Sequence, residues 1–178
     1  KDLGTADYGW LNAHYHFSFA HYHNPSRIHF GKLRVINDDR IAPNTGFDTH
    51  PHQDMEIITF VRSGAITHKD SEGHEGRTEA GNVQVMSAGT GIFHSEANKE
   101  DTETTLYQIW IFPREKGVKP WWDAARFADR KANDTLPLLV SGRKEDDGKG
   151  ALYIHQDARI LGGQLDKSHK LTQEILEQ

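Results

Sequence analysis

The sequence predicts an all-β protein of the sandwich or barrel class, and three observations carry that prediction. Short runs rich in β-branched and aromatic residues recur through roughly the first 113 residues. Clusters of Gly, Asn, Asp and Ser punctuate them at close intervals, as short strands joined by turns require. Helical periodicity is confined to two segments late in the chain.

Taken in order, the expected strands are 28–36, 55–62, 65–69, 83–86, 92–97 and 104–112. The expected turns are Asn37-Asp38-Asp39, Arg62-Ser63-Gly64, Asp70-Ser71-Glu72-Gly73, Ala80-Gly81-Asn82 and Ala88-Gly89-Thr90-Gly91. A helix is expected over 121–127, because Pro120 suits a helix start, and another over 167–177, where Leu171, Ile175 and Leu176 recur at helical spacing. Composition shifts after Pro113. Residues 143–150 read as a charged loop whose Glu145-Asp146-Asp147 cluster is solvated, and 151–154 and 158–165 resume strand character. The expected organisation is a first domain over 1–130, ending in a connecting helix, and the opening strands of a second β unit over 131–178.

The 178 residues suffice to bury a core, and 35% hydrophobic residues without a long charge block mark a globular chain. A net charge of −5 and no basic stripe argue against direct nucleic-acid binding, leaving a small molecule or a protein as partner. With no cysteine, thiolate ligands, thiol nucleophiles and disulfides are excluded, which agrees with a reducing cytoplasm. No apolar run approaches the ~18 residues of a membrane span and 1–8 lacks a signal-peptide core, so a cytoplasmic protein is expected.

Twelve histidines are the main chemical signal. Two clusters, His50-Pro51-His52 and His94-Ser95-Glu96, each place two potential ligands two residues apart, hence on one face of a strand. Together they offer nitrogen and oxygen donors to a single ion. The pairs His14/His16 and His21/His23 lack a downstream carboxylate cluster and are read as incidental. His68 is read either as a hydrogen-bond partner to a ligand or as a solvent-facing residue. Phe47, Met55, Ile92 and Phe93 could line an aromatic-binding cavity but fit an ordinary barrel core better. Trp121 and Trp122 read as a packing anchor between the barrel and the rest of the chain.

The segments His50-Pro51-His52-Gln53-Asp54-Met55-Glu56-Ile57-Ile58-Thr59, His68-Lys69-Asp70-Ser71 and Gly89-Thr90-Gly91-Ile92-Phe93-His94-Ser95-Glu96 resemble the pirin family of the cupin superfamily. Phe17-Ser18-Phe19 and Leu33-Arg34-Val35-Ile36-Asn37-Asp38-Asp39 support the resemblance, which runs from about Asp7 to beyond Ile160. It implies a cupin β-barrel or jelly roll in a bicupin arrangement, with the metal in the first barrel and the second barrel incomplete. The general cupin pattern points to Glu56 as the carboxylate ligand, whereas the pirin pattern points to Glu96. The resemblance therefore implies His50, His52, His94 and Glu96 as ligands and Glu56 as a supporting hydrogen-bond partner; even spacing alone does not separate the two carboxylates. The chain is shorter than the family usually is. Either it is truncated, or it is a short form completed by a partner or a second copy through its open sheet edges.

Three imidazoles and one carboxylate suit Fe(II), with Mn, Co, Ni, Cu and Zn also compatible, and leave two positions of six for substrate and dioxygen. The resemblance implies a flavonol 2,3-dioxygenase cleaving a quercetin-like ring with release of carbon monoxide, and Glu96 as the catalytic base toward the flavonol hydroxyl. A second reading from the same resemblance is a metal- or redox-responsive regulatory protein that acts without turnover, as a transcriptional cofactor or a partner of metabolic enzymes. A purely structural metal is a third.

Overall fold

The computed structural model describes residues 3–127, 135–165 and 170–172. Its strands, in chain order, are β1 (Gly4–Asp7), β2 (Leu11–Tyr15), β3 (Leu33–Ile41), β4 (Thr45–His52), β5 (Glu56–Ser63), β6 (Ala65–Asp70), β7 (Glu75–Glu79), β8 (Val83–Ser87), β9 (Ile92–Asn98), β10 (Thr104–Ile111), β11 (Trp121–Ala125), β12 (Leu138–Ser141), β13 (Leu152–Tyr153) and β14 (Arg159–Leu161). The one helical element among the described residues is a 3₁₀ turn, Lys144–Asp146. None of the described helices is long and apolar enough to cross a membrane.

Three sheets form three layers. A seven-stranded sheet in the order β1-β2-β3-β10-β5-β8-β11 is the middle layer. The four-stranded sheet β4-β9-β6-β7 lies against one face, giving a cupin-type jelly-roll sandwich, and the three-stranded sheet β13-β12-β14 lies against the other. Strand β5 is central and buried on both sides, which explains its nearly unbroken apolar run Ile57-Ile58-Thr59-Phe60-Val61. Its residues alternate. Ile57 and Val61 face the four-stranded sheet, packing respectively with Met86 and Ile92, and with Leu11, Ile41, Ile66 and Leu106. Ile58 faces the other way and packs with Val83, Val85, Ile111, Val140 and Ile154.

Several expectations need correction. Residues 121–127 are not a helix: Trp121–Ala125 pairs antiparallel with β8 and becomes an edge of the large sheet. Seven residues are less than two helical turns and nucleate poorly, Trp favours strands, and Pro120 is tolerated at a strand start as well as at a helix start. The connecting helix of the expected first domain is therefore absent from 121–127. Asn37-Asp38-Asp39 is not a turn but the middle of β3, which begins five residues later than expected and runs to Ile41. Its polar side chains mimic a turn because Asn37 and Asp39 are buried toward the sandwich interior while Asp38 makes an ion pair with Arg62. Asp146 is not solvated; it is buried and accepts hydrogen bonds from Ser141 Oγ, Lys149 Nζ and Arg159 Nε. The expected helix over 167–177 falls almost wholly outside the described residues.

Candidate metal centre

Antiparallel pairing of β4 with β9 builds the site. His50 lies directly opposite His94, and His52 is two residues further along the same strand, so three imidazoles share one face. A register shift between Phe47 and His50 inserts an extra residue into β4, a bulge that re-aims the strand where the histidines begin. One ligand nitrogen from each of His50, His52 and His94 lies within 4.8 Å of the others, and this is the one such group among the described residues. The pairs His14/His16 and His21/His23 contribute nothing to it.

For neutral rings, the hydrogen bonds assign which nitrogens carry lone pairs. His50 Nδ1–H donates to the Asp48 carbonyl at 2.6 Å, leaving Nε2 as a lone-pair atom. On the other side, His68 Nε2–H donates to Asp70 Oδ2 at 2.8 Å, so His68 Nδ1 is an acceptor and takes the long hydrogen bond of His94 Nδ1–H at 3.4 Å. His94 Nε2 is then also a lone-pair atom. The two Nε2 atoms face one another at 3.1 Å. Two lone pairs at that distance repel unless a proton or a metal cation lies between them. Two nitrogens bound about 2.1 Å from one ion at right angles would be about 3.0 Å apart, close to what is found. His52 Nε2 is buried without any hydrogen-bond partner, the third free nitrogen of the set. Burial, reinforced by the neighbouring imidazoles, pushes the His52 and His94 pKa values down to about 3, so both rings are neutral and able to bind metal at neutral pH.

Asp70 anchors this arrangement. Burial alone would raise its carboxyl, but hydrogen bonds from His68, the backbone of His74 and the His74 ring hold it below its usual value. His68 is also stacked flat on Trp122, with ring centroids 5.1 Å apart and planes 7° apart. Gly76 makes room for that indole: a Cβ there would lie 2.2 Å from its Cη2 atom. His68 is therefore buried and supporting rather than solvent-facing. The two tryptophans divide, as neighbours on a strand must: Trp121 packs on the outer core and near Tyr153, as an anchor to the C-terminal sheet, while Trp122 supports the histidines.

The two carboxylates are separated by the sheets. After His52 the chain leaves the four-stranded sheet, turns through Asp54 at φ 47°, and enters β5 in the large sheet. Glu56 emerges on the opposite face of β5, away from the histidines, where its Oε2 accepts from Ser87 Oγ at 2.6 Å and from the His155 backbone N–H at 3.1 Å. Even spacing from a histidine misleads here because the strand is interrupted. Glu96, two residues from His94 on β9, lines the same cavity as the three histidines but is outside the 4.8 Å group. Its Oε1 accepts from Thr59 Oγ1 at 3.2 Å and Gln84 Nε2 at 2.7 Å, and its Oε2 accepts from Gln108 Nε2.

Sequence reasoning missed these donors. Asn37, Gln108, Thr59 and Gln84 form a polar row across four adjacent strands, in cross-strand register Asn37↔Gln108↔Thr59↔Gln84. Each glutamine is oriented at its oxygen end, Gln84 by Thr78 Oγ1–H and Gln108 by Trp110 Nε1–H, so both present NH₂ groups to Glu96. An uncharged amide inside a β-branched run, as in Val83-Gln84-Val85, was the available signal.

The cavity above this row has a volume of about 1040 Å³ and includes Trp10, Phe47, Trp110 and the four candidate ligands in its wall. Of the four suggested wall residues only Phe47 lines it. Met55 and Ile92 belong to the core, and Phe93 is 55% exposed.

The family model described as Pirin matches residues 1–111. A protein of Zymomonas mobilis is 54% identical over all of this chain and 75% of its own length. A quercetin 2,3-dioxygenase of Escherichia coli K12 is 44% identical over 98% of this chain and 74% of its own. The crystal structure of the bacterial pirin YhhW from Escherichia coli, in complex with nickel(II), superposes with a TM-score of 0.80 at 46% identity, covering 88% of this chain; the chain spans about two thirds, 66%, of that structure. The sequence match over most of the chain and the shared jelly roll lead to one conclusion: this chain belongs to the pirin family.

Proposed function

We propose that the cavity is the active site of a metal-dependent dioxygenase that opens the ring of a flavonol-like aromatic enediol with O₂. The observation that carries the reading is the convergence of three imidazole nitrogens, two of them facing one another at 3.1 Å, at the wall of a cavity large enough for such a molecule. The quercetin 2,3-dioxygenase name of the Escherichia coli relative and the nickel(II) complex of YhhW agree with it.

In this proposal His50, His52, His94 and Glu96 hold one divalent transition metal. Fe(II) is the first choice for a sulfur-free nitrogen and oxygen set, with Mn, Co, Ni, Cu and Zn as alternatives. The bound ion would supply a Lewis acid with open positions for substrate and dioxygen. The protein's own residues do the rest. Asp48 and the His68–Asp70 pair fix the imidazole tautomers. Trp10, Phe47 and Trp110 offer aromatic surface to a planar ligand. Three donors hold Glu96 as an acceptor and leave one lone pair on Oε2, so Glu96 would either hold the ion or take the proton of a substrate hydroxyl, one at a time. The cavity favours turnover over a purely regulatory metal, for which an exposed patch would serve.

The test is oxygen uptake with quercetin by metal-loaded protein, beside Glu96→Gln. In that variant the new amide turns its NH₂ toward the NH₂ group of either Gln84 or Gln108 and its oxygen toward the other, and turnover is expected to fall at least about 100-fold. Full turnover with full metal content in Glu96→Gln would remove Glu96 from both roles, and no uptake by the loaded wild type would remove the flavonol reading.

A further inference from the structure

Asp39 is the one buried carboxyl at the cavity to which the histidines and Glu96 give no work. It is 2% exposed and lines the cavity, yet its Oδ1 has no hydrogen-bond partner. Its neighbours across the sheet are Ala13 on β2 and Leu106 on β10, both buried and apolar. The nearby guanidinium of Arg62 is bonded to Asp38 on the other side of the strand. Asn37, two residues back on the same face, is 3% exposed, also lines the cavity, and has an Oδ1 with no partner. A buried acceptor left unpaired costs about 1–3 kcal/mol, and one in the wall of a cavity can be completed by what the cavity holds.

We propose that Asp39 and Asn37 form a second polar subsite of the cavity, which hydrogen-bonds a hydroxyl of the bound aromatic ligand other than the one presented to the histidines and Glu96. The inference rests on the reading of this cavity as the substrate site. Register sets the geometry. Asn37 stands opposite Gln108, the donor to Glu96, and Asp39 lies about 7 Å further along β3, beside Leu106. A ligand that reaches both ends therefore carries polar groups separated on the scale of an aromatic ring system, as a polyhydroxylated flavonoid does. Burial, with Glu96 and Asp38 adding to it, pushes the Asp39 carboxyl up to about 7, so near neutral pH it can donate as well as accept. The subsite thus selects ligands by their remote hydroxyls, a hydrogen-bonding discrimination stronger than apolar shape alone provides.

The test is calorimetric binding of two probes under argon, quercetin and 3-hydroxyflavone, the second of which keeps the enolone hydroxyl and lacks the remote ones. The proteins are metal-loaded wild type, Asp39→Asn and Asp39→Leu. Asp39→Leu is expected to weaken quercetin at least about tenfold while leaving 3-hydroxyflavone within about twofold and metal content unchanged; Asp39→Asn stays within about threefold for both. Because a buried orphan group is removed, Asp39→Leu should melt no lower than wild type. If it fails to fold, Asn37→Leu is read by the same pattern. Equal quercetin affinity in the Leu variant, equal weakening of both probes, or a wild type that binds neither would overturn the subsite. Oxygen uptake separates the two claims. Asp39-dependent quercetin binding without oxygen consumption would leave the subsite standing and remove the dioxygenase. Oxygen consumption with Asp39-independent binding would do the reverse.

Discussion

The two faces of the seven-stranded sheet are made from alternate residues of the same strands, yet they do different things. The outer face, toward β12–β14, is filled by Ile58, Val83, Val85 and Ile111, and its one buried carboxylate among the described residues, Glu56, accepts at Oε2 from Ser87 Oγ and the His155 backbone, with Oε1 3.6 Å from His155 Nδ1. The inner face carries Asn37, Gln108, Thr59 and Gln84 in a row beneath an open cavity, with Glu96 held above them and Asp39 left unpaired. Dry apolar packing stabilises; buried amides and acids are costly unless each is hydrogen-bonded, as Gln84 and Gln108 are to Glu96. The outer face is packed throughout, whereas the inner face divides between apolar clusters around Val61 and Ile57 and the polar centre beside the cavity.

Substitutions on the two sides should separate along that line. The largest effect is expected from His52→Ala, which removes a convergent nitrogen: metal affinity should fall more than about 100-fold, since loss of an outer hydrogen-bond partner alone costs about 10–100-fold, as competition with a chromophoric chelator would read. Ile58→Ala on the outer face should cost about 2–5 kcal/mol in urea unfolding while leaving metal bound per folded chain unchanged. A variant of this kind that lost metal without losing stability would erase the distinction between the faces.

His68→Phe keeps a flat ring against Trp122 but removes the acceptor for His94 Nδ1–H. A loss of metal affinity of about 10–100-fold is expected, together with a lower melting temperature because buried Asp70 loses its His68 donor. Acid should act selectively on the inner face of the metal-free protein. His52 and His94 have folded pKa values near 3, below the roughly 6.5 of an unfolded histidine, so the unfolded chain binds more protons between those limits. Their contribution is complete above about pH 6.5 and declines as pH falls toward 3; urea midpoints of the metal-free protein at pH 7 and pH 5 measure it, and His52→Ala should flatten the difference. The smallest effect belongs to Phe93→Ser. That ring is exposed beside the histidines in sequence but points away from the cavity, and both stability and metal binding should stay within about 0.5 kcal/mol of wild type.

Much of this was legible in the sequence, for identifiable reasons. The strands over 55–62, 65–69, 83–86, 92–97 and 104–112 could be read because they are central or well paired, so their β-branched residues are consistent with their burial. The histidine pairs could be read because spacing by two on paired strands is itself geometry. Strands such as Gly4–Asp7 and Glu75–Glu79 escaped notice: both lie at sheet edges, where short polar sequences are tolerated. Asn37 and Asp39 read as a turn because propensity does not register a cavity. The ranking of Glu96 against Glu56 came from family resemblance; what separates their surroundings is a change of sheet at Asp54, visible only in three dimensions.

The most direct measurement is metal content per chain, by plasma mass spectrometry, on untagged wild-type protein beside His94→Ala after anaerobic reconstitution. Close to one equivalent of a transition metal in the wild type, lost in the variant, is the expected result, because two imidazole lone pairs face each other at 3.1 Å across that side chain. Absence of metal from both, or equal retention in both, would contradict the metal centre and the chemistry built on it.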